Sequence, residues 1–217
     1  MKRHDHFFIQ HIRENMTVYI FLTTLFFIGI IFGAIIVNGL SFIQKQDIYF
    51  QFENFLNSLM SGEVQGKSAI LKQSFIFHMK VLAVLFLLGL TIIGIPIIWL
   101  IIFVKGIAIG FSVGFIVNQL GWQGLFISLF SIAPQNIIIV PVYIFAAGLS
   151  MIFSINIFRK IIGQYSSVPI GRPMMQYSIV YVFFGILAFV STLLDAFVSN
   201  EMLKIVLKVG FVLLHID

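Results

Sequence analysis

The chain has 217 residues, of which 60% are hydrophobic and 10% are charged, and its mean hydropathy is +1.08. A soluble domain carries about a quarter charged residues, so this composition excludes an ordinary soluble protein and favours an integral membrane protein. The net charge of +5 is too modest to indicate nucleic-acid binding, and the absence of cysteine excludes disulfides, thiol catalysis and thiolate metal sites.

The chain begins with a charged arm over residues 1–16, which we predict to be cytoplasmic. Residues 17–40 are apolar, and about 20 apolar residues suffice to cross the hydrocarbon, so they are predicted to form the first span. This stretch is too long for the core of a cleavable signal peptide, so the span is predicted to be retained.

Residues 41–78 are mixed in polarity and are predicted to form an extracytoplasmic segment that contains an amphipathic helix. This helix either docks on the bilayer or the bundle, or binds a partner. An apolar stripe on it and a tryptophan further along the chain are the candidate partner-facing residues: Phe52, Phe55, Leu59 and Trp122.

Three apolar stretches follow, and they are predicted to cross the membrane as span 2 (residues 79–98), span 3 (residues 99–118) and a longer segment over residues 124–158. Residues 106–158 contain no charge and are too long for one crossing. The sequence "NQLGWQG", residues 118–124, is the predicted turn between two of these crossings.

The longer segment contains Pro134, Gln135 and Asn136 in apolar surroundings, followed by Pro141. These residues predict a broken or re-entrant helix near Pro134, with a half-helix before it and span 4 after it. Irregular backbone at membrane depth must face protein or water, so we expect the two amides to satisfy freed backbone groups. This favours a structural break over a ligand site.

A basic loop over residues 159–174 is predicted to be cytoplasmic, and residues 175–199 are predicted to form span 5. Residues 200–217 are predicted to form an extracytoplasmic interfacial tail, with a sixth span as the alternative. The predicted fold is therefore an all-α polytopic transmembrane bundle of about five spans. With the N-terminus inside, seven Lys and Arg residues fall inside and six outside, counting Lys105 as inside.

Small residues recur at a spacing of four residues in two of the spans, and this spacing predicts a helix-packing face. Its members are Gly29, Gly33, Gly106, Gly110 and Gly114. Packing within the chain is favoured over a subunit interface, and homo-oligomerisation is left open.

The sequence contains no pattern typical of an enzyme, and we expect no catalytic residue, cofactor or metal site. His4, His6 and His11 lie in the N-terminal arm without acidic or cysteine partners at metal-ligand spacing. His78 is expected near a membrane interface, and Asp195 near the end of a span.

Three stretches carry a family resemblance: "FFIGIIFGAIIVNGLSFIQKQDIYFQFENF", "FVKGIAIGFSVGFIVNQLGWQGLFIS" and "SIAPQNIIIVPVYIFAAG". They resemble the stage II sporulation protein M family of endospore-forming bacteria, over nearly the whole chain and in the same order. In the broader superfamily the segment that matches "PQNIIIVP" often reads Pro-His-Gly-x-x-Glu-x-Pro. This chain keeps Pro134 and Pro141 but has Gln135, Asn136 and Ile139 at the other three positions.

The resemblance implies a non-enzymatic scaffold in the cell membrane that anchors two peptidoglycan-degrading partners, stage II sporulation proteins D and P. Its expected location is the sporulation septum and the engulfing mother-cell membrane. The loss of the ionisable pair of the superfamily motif favours a scaffold. The alternative is a small-molecule permease or the membrane subunit of a transporter, for which a hydrated cavity reaching Gln135 would be the evidence.

Overall fold

A computed structural model describes residues 13–61, 67–162 and 171–199, and within these ranges every regular element is a helix. The predicted N-terminal arm and C-terminal tail lie almost wholly outside the described residues. The elements are α1 (Met16–Gly39), α2 (Phe42–Ser61), α3 (Lys67–Gly89), α4 (Gly94–Ile161), α5 (Gly171–Leu194) and a π-helical turn at Asp195–Ser199. The fold is thus all-α, as the sequence predicts.

Four of these helices are long and apolar enough to cross a membrane: the segments Met16–Gly39, Leu71–Gly89, Gly94–Lys160 and Pro173–Phe197. The third has 67 residues. At about 1.5 Å per residue it would measure about 100 Å if straight, against a hydrocarbon core of about 30 Å. It must therefore reverse its direction.

The reversal occurs at Gly121, whose backbone has φ 56° and ψ −132°. This left-handed conformation favours glycine, which has no Cβ to clash with the backbone. Residues 94–120 are called here the first half of α4, and residues 122–161 the second half. The halves are antiparallel, because the Trp99 Nε1–H donates to the Met151 Sδ over 3.4 Å. Counting each half separately, the described part of the chain contains five apolar segments that are long enough to cross the membrane.

The predicted break near Pro134 is not found. The helix keeps helical backbone angles through Pro134 and Pro141, and within α4 only Gly121 departs from them. Proline holds φ near −65°, which a helix accommodates, whereas a sharp reversal needs a conformation open to glycine. Neighbouring helices make an interior proline tolerable in a membrane helix.

Two helix boundaries also differ from the predicted domain map. Residues 67–78, predicted to be extracytoplasmic, belong to α3 and are continuous with span 2. That helix ends at Gly89, and the next begins at Gly94, so Pro96 lies in a first helical turn, where a missing N–H costs nothing.

Upstream, Ser41 and Gln44 form a reciprocal capping box that starts α2, with backbone-to-side-chain distances of 3.0 and 3.3 Å.

The predicted small-residue face lies between α1 and the first half of α4, which run parallel to one another. Gly29 approaches Gly106 and Ile107, while Gly114 approaches Ala34. A Cβ placed on Gly110 would overlap the carbonyl oxygen of Ile30 and lie 2.7 Å from its Cα. Glycine therefore lets the two backbones touch, and this packing is within one chain.

The remaining helices pack around the second half of α4. Helix α5 runs antiparallel to it, since Tyr181 contacts Ala146 while Ser191 contacts Gln135. The shared core consists of buried side chains from four helices: Leu22, Phe26, Leu82, Leu85, Ile98, Ile102, Ile139, Val142, Tyr143, Ala146, Ala147, Phe184 and Ala188. The end of the bundle that holds Gly121, the C-terminus of α1 and the N-terminus of α3 is called here the Gly121 end.

A hydroxyl cluster joins three helices near the opposite end. Ser150 Oγ donates to the Leu85 carbonyl at 2.9 Å, lies 2.9 Å from the Tyr177 hydroxyl and also contacts the Tyr181 hydroxyl. The Tyr177 ring stacks on Phe153 with ring centroids 4.4 Å apart. In lipid such polar contacts fix which helix faces meet, because apolar faces alone are poorly selective.

Substitution of Gly110 by leucine should separate α1 from α4, because the new side chain would occupy the position of the Ile30 backbone. We expect the protein to accumulate poorly in membranes, with a loss of stability of about 3 kcal/mol or more. Membrane content and thermal unfolding in detergent provide the measurement. Gly39→Leu is the control, since nothing lies within 4 Å of a Cβ there. Equal accumulation of both variants would contradict the close packing.

Topology reporters should place positions Lys67 and Gly121 on one side of the membrane and a position after Ile162 on the other. The reason is that Lys67 and Gly121 belong to the Gly121 end, whereas α4 terminates at the opposite end. Paired alkaline phosphatase and fluorescent-protein fusions would measure this. Opposite sides for Lys67 and Gly121 would refute the hairpin in α4.

Candidate functional site

The candidate site is a cluster of polar side chains inside the bundle, towards the Gly121 end, and His78 is its centre. His78 is only 3% exposed. Its Nδ1 lies 2.7 Å from the Tyr143 hydroxyl, and its Nε2 lies 2.9 Å from Nε2 of Gln135. An amide nitrogen can only donate, so the imidazole Nε2 accepts and the ring proton resides on Nδ1. The ring is therefore neutral in this arrangement.

Lys105 extends the cluster towards α1. Its ammonium nitrogen lies 5.5 Å from the centroid of the Tyr143 ring, within the range of a cation–π interaction. Lys105 lies next to Gly106, which is in the contact between α1 and α4. It is thus a half-buried cation within the first half of α4, so it does not belong in the count of charges on the inner side.

Asp195 closes the cluster from the π-helical turn that follows α5. The Ser74 hydroxyl donates to its Oδ2 at 2.7 Å. Its negative charge also acts on Lys105 across the bundle. Asp195 and Lys105 are both only half-buried, so solvent weakens their mutual attraction, and the hydrogen bond from Ser74 is the contact that holds the carboxylate in place.

The two amides predicted to repair a helix break have different roles. The side chain of Gln135 contacts His78, and its backbone carbonyl accepts a hydrogen bond from Ser191 Oγ at 3.0 Å. Asn136 donates to the Ile132 carbonyl at 2.7 Å, one turn back in the same helix. Gln135 therefore holds α3 and α5 against α4, whereas within the described ranges the side chain of Asn136 makes a bond only to its own helix.

The residues predicted to face a partner are distributed over two places. Trp122 is 81% exposed beside the turn at Gly121, which agrees with an anchor at the membrane interface. Phe52 is half-buried in α2. The side chains of Phe55 and Leu59 lie outside the described residues.

The sequence prediction missed His78 and Lys105 as members of one site. From the sequence, His78 is expected near an interface and Lys105 is counted among the charges on the inner side. The available signal was that each is a single ionisable residue within a long apolar stretch, which by default indicates a function. In the described ranges, no three His, Asp or Glu residues are arranged to hold a metal ion.

This arrangement joins three helices: His78 belongs to α3, Gln135 and Tyr143 belong to the second half of α4, and Asp195 follows α5. The hydrogen bonds of His78 and Asp195 run between helices, so they would be lost if α3 moved against α4 or α5. The cluster is therefore suited to holding α3, α4 and α5 in one arrangement.

These features define a polytopic α-helical membrane protein with a glycine-packed helix pair and an ionisable cluster around the buried His78. Residues 22–200 match the family of Stage II sporulation protein M, and the chain belongs to this family. Membership indicates a membrane protein of sporulation. No match is found among curated proteins or solved structures.

Substitution of His78 by phenylalanine should destabilise the bundle by about 1–3 kcal/mol, because the Tyr143 hydroxyl and the Gln135 amide would lose their partner. Unfolding of the purified protein in detergent would measure the loss.

Asn136→Leu is the matched control for this experiment. Within the described part of the chain, Asn136 Oδ1 is one of two buried side-chain atoms without a hydrogen-bond partner. Leucine has a similar size and removes that unsatisfied oxygen, so stability should be retained or increased. A His78→Phe protein as stable as wild type, or an Asn136→Leu protein as unstable as His78→Phe, would contradict these assignments.

Proposed function

We propose that this protein is a non-enzymatic membrane scaffold that anchors peptidoglycan-degrading partners during engulfment in endospore formation. The partners that the family resemblance suggests are stage II sporulation proteins D and P. The proposed location is the sporulation septum and then the engulfing mother-cell membrane, with the N-terminus in the cytoplasm. Family membership supports the sporulation role.

The observation that carries the scaffold proposal is that α2 leaves its apolar side chains exposed. This helix has 20 residues, yet it makes no extensive contact with the other described helices. Its exposed side chains include Phe42, Ile43 and Phe50, which are 79%, 70% and 62% accessible. A regular helix that leaves large apolar groups uncovered on the Gly121 end is suited to bind a partner.

The amphipathic pattern of α2 also suits a position on the bilayer surface. The two roles are compatible, because a helix in the interface can present one face to lipid and another to a protein. Its attachment to α1 through only Leu40 and Ser41 would keep a bound partner close to the membrane.

A second candidate is a small-molecule permease or the membrane subunit of a transporter. The cluster of the buried His78 with the half-buried Lys105 and Asp195 favours it, since ionisable residues in a membrane often line transport paths. A cavity does reach Gln135, but its remaining lining comes from residues 72–80 of α3. No residue of the opposite end lines it, so we rank the scaffold first.

Replacement of Phe52 and Phe55 by serine should release a partner hydrolase from the septum while the protein itself stays inserted. The physical reason is the loss of apolar contact area, about 1.5–3 kcal/mol for each fully buried phenylalanine. Fluorescence microscopy of tagged partners in sporulating cells would measure the fraction at the septum.

Gln51→Ser is the control, because it alters an exposed polar residue of the same helix and keeps the apolar stripe. Normal partner localisation in an inserted double variant would move the binding surface away from α2. Uptake of a substrate by proteoliposomes of the purified protein would instead favour the permease.

A further inference from the structure

The cavity beside His78 has a composition that points to a ligand. Its volume is about 640 Å³, and it is lined by α3 between Lys72 and Lys80 and by Gln135 of α4. It is open on one side, and no carboxylate lines it. The cavity is called here the α3 cleft.

Two cations line the α3 cleft without an acidic partner. Lys72 and Lys80 are both exposed, and neither makes an ion pair within the described residues. Asp195 accepts a hydrogen bond from Ser74, which lines the α3 cleft, but Asp195 is not itself a lining residue. The side chains that line the α3 cleft therefore carry an excess of positive charge.

The depth of these cations distinguishes them from ordinary surface lysines. The apolar segment of α3 begins at Leu71, so Lys72 lies at its border. Lys80 follows eight residues later, about 12 Å further along the helix. An unpaired ammonium group at such a depth is costly unless it reaches an anion or the polar headgroup layer. An occupant of the α3 cleft is thus expected to carry negative charge into the membrane.

The lining between the two lysines is apolar where it faces outward. Ile76 and Phe77 are 41% and 55% exposed, while the Gln73 amide adds a polar group beside Lys72. A small hydrophilic anion would leave these apolar side chains uncovered. An amphiphile would satisfy both parts, with its anion on the lysines and its chains along Ile76 and Phe77.

We infer that the α3 cleft binds the phosphate group of an anionic lipid. The ammonium groups of Lys72 and Lys80 are its ligands, and Gln73 donates to a headgroup oxygen. His78 and Gln135 form the inner wall, so the occupant would lie directly against the polar cluster. The inference does not depend on the scaffold role of α2.

The experiment uses the full chain purified in a neutral detergent and titrated with fluorescent phosphatidylglycerol or phosphatidylcholine. We expect binding of phosphatidylglycerol in preference to phosphatidylcholine. The Lys72→Gln/Lys80→Gln protein should bind phosphatidylglycerol more weakly by on the order of tenfold. Lys72→Arg/Lys80→Arg should bind like wild type and serves as the second, charge-conserving variant.

The control for general charge is Lys45→Gln/Arg159→Gln, which removes two positive charges away from the α3 cleft and should leave binding unchanged. Equal binding by the Lys72→Gln/Lys80→Gln protein and wild type would overturn the inference. A second arm adds inorganic phosphate to the bound lipid. Full displacement of the lipid by millimolar phosphate would also overturn the assignment of a lipid as the ligand, and it would identify the α3 cleft as a site for free phosphate.

Discussion

The structure depends first on the direct contact between the backbones of α1 and the first half of α4. A bilayer provides no hydrophobic force to bring two apolar helices together, so close van der Waals packing has to do so. Gly29 and Gly33 on one helix and Gly106 and Gly110 on the other make the approach possible. The contact also sets the rotation of α4, and thereby directs Lys105 towards Tyr143 and away from lipid.

Hydrogen bonds then determine how the other helices join this pair. Near the Gly121 end, His78 and Gln135 connect α3 to α4, and near the opposite end Ser150 connects α3, α4 and α5. Each polar group buried in hydrocarbon needs a partner, so only a few rotations of these helices are acceptable. Polar contacts thus select one arrangement of the helices from several that apolar packing alone would stabilise about equally.

The features with a proposed function lie together at the Gly121 end. Helix α2 begins just after α1, Trp122 follows the turn in α4, and the α3 cleft opens beside His78. The opposite end carries the basic residues Arg159 and Lys160. The proposed scaffold would present the Gly121 end to partners and lipid headgroups, with the other end in the cytoplasm.

Composition and spacing were sufficient to predict several parts of this structure. Mean hydropathy predicts a membrane protein, and the long uncharged stretch after Lys105 predicts a hairpin. The segment around Gly121 is where the turn lies. The four-residue spacing of glycines marks the face where α1 meets α4. These properties can be predicted from the sequence because they depend on local chemistry: the length of an apolar stretch, the absence of charge and the absence of a Cβ.

The tertiary structure alone decided which polar residues meet. His78, Gln135, Tyr143, Lys105 and Asp195 are separated by up to 117 residues in the chain, and no local pattern connects them. It also decided that Pro134 continues a helix, because surrounding helices tolerate the loss of one N–H there, while Gly121 makes the reversal. The sequence by itself determined what must be buried in lipid; the packing of the helices decided what is buried in protein, since that depends on partners brought together only by the fold.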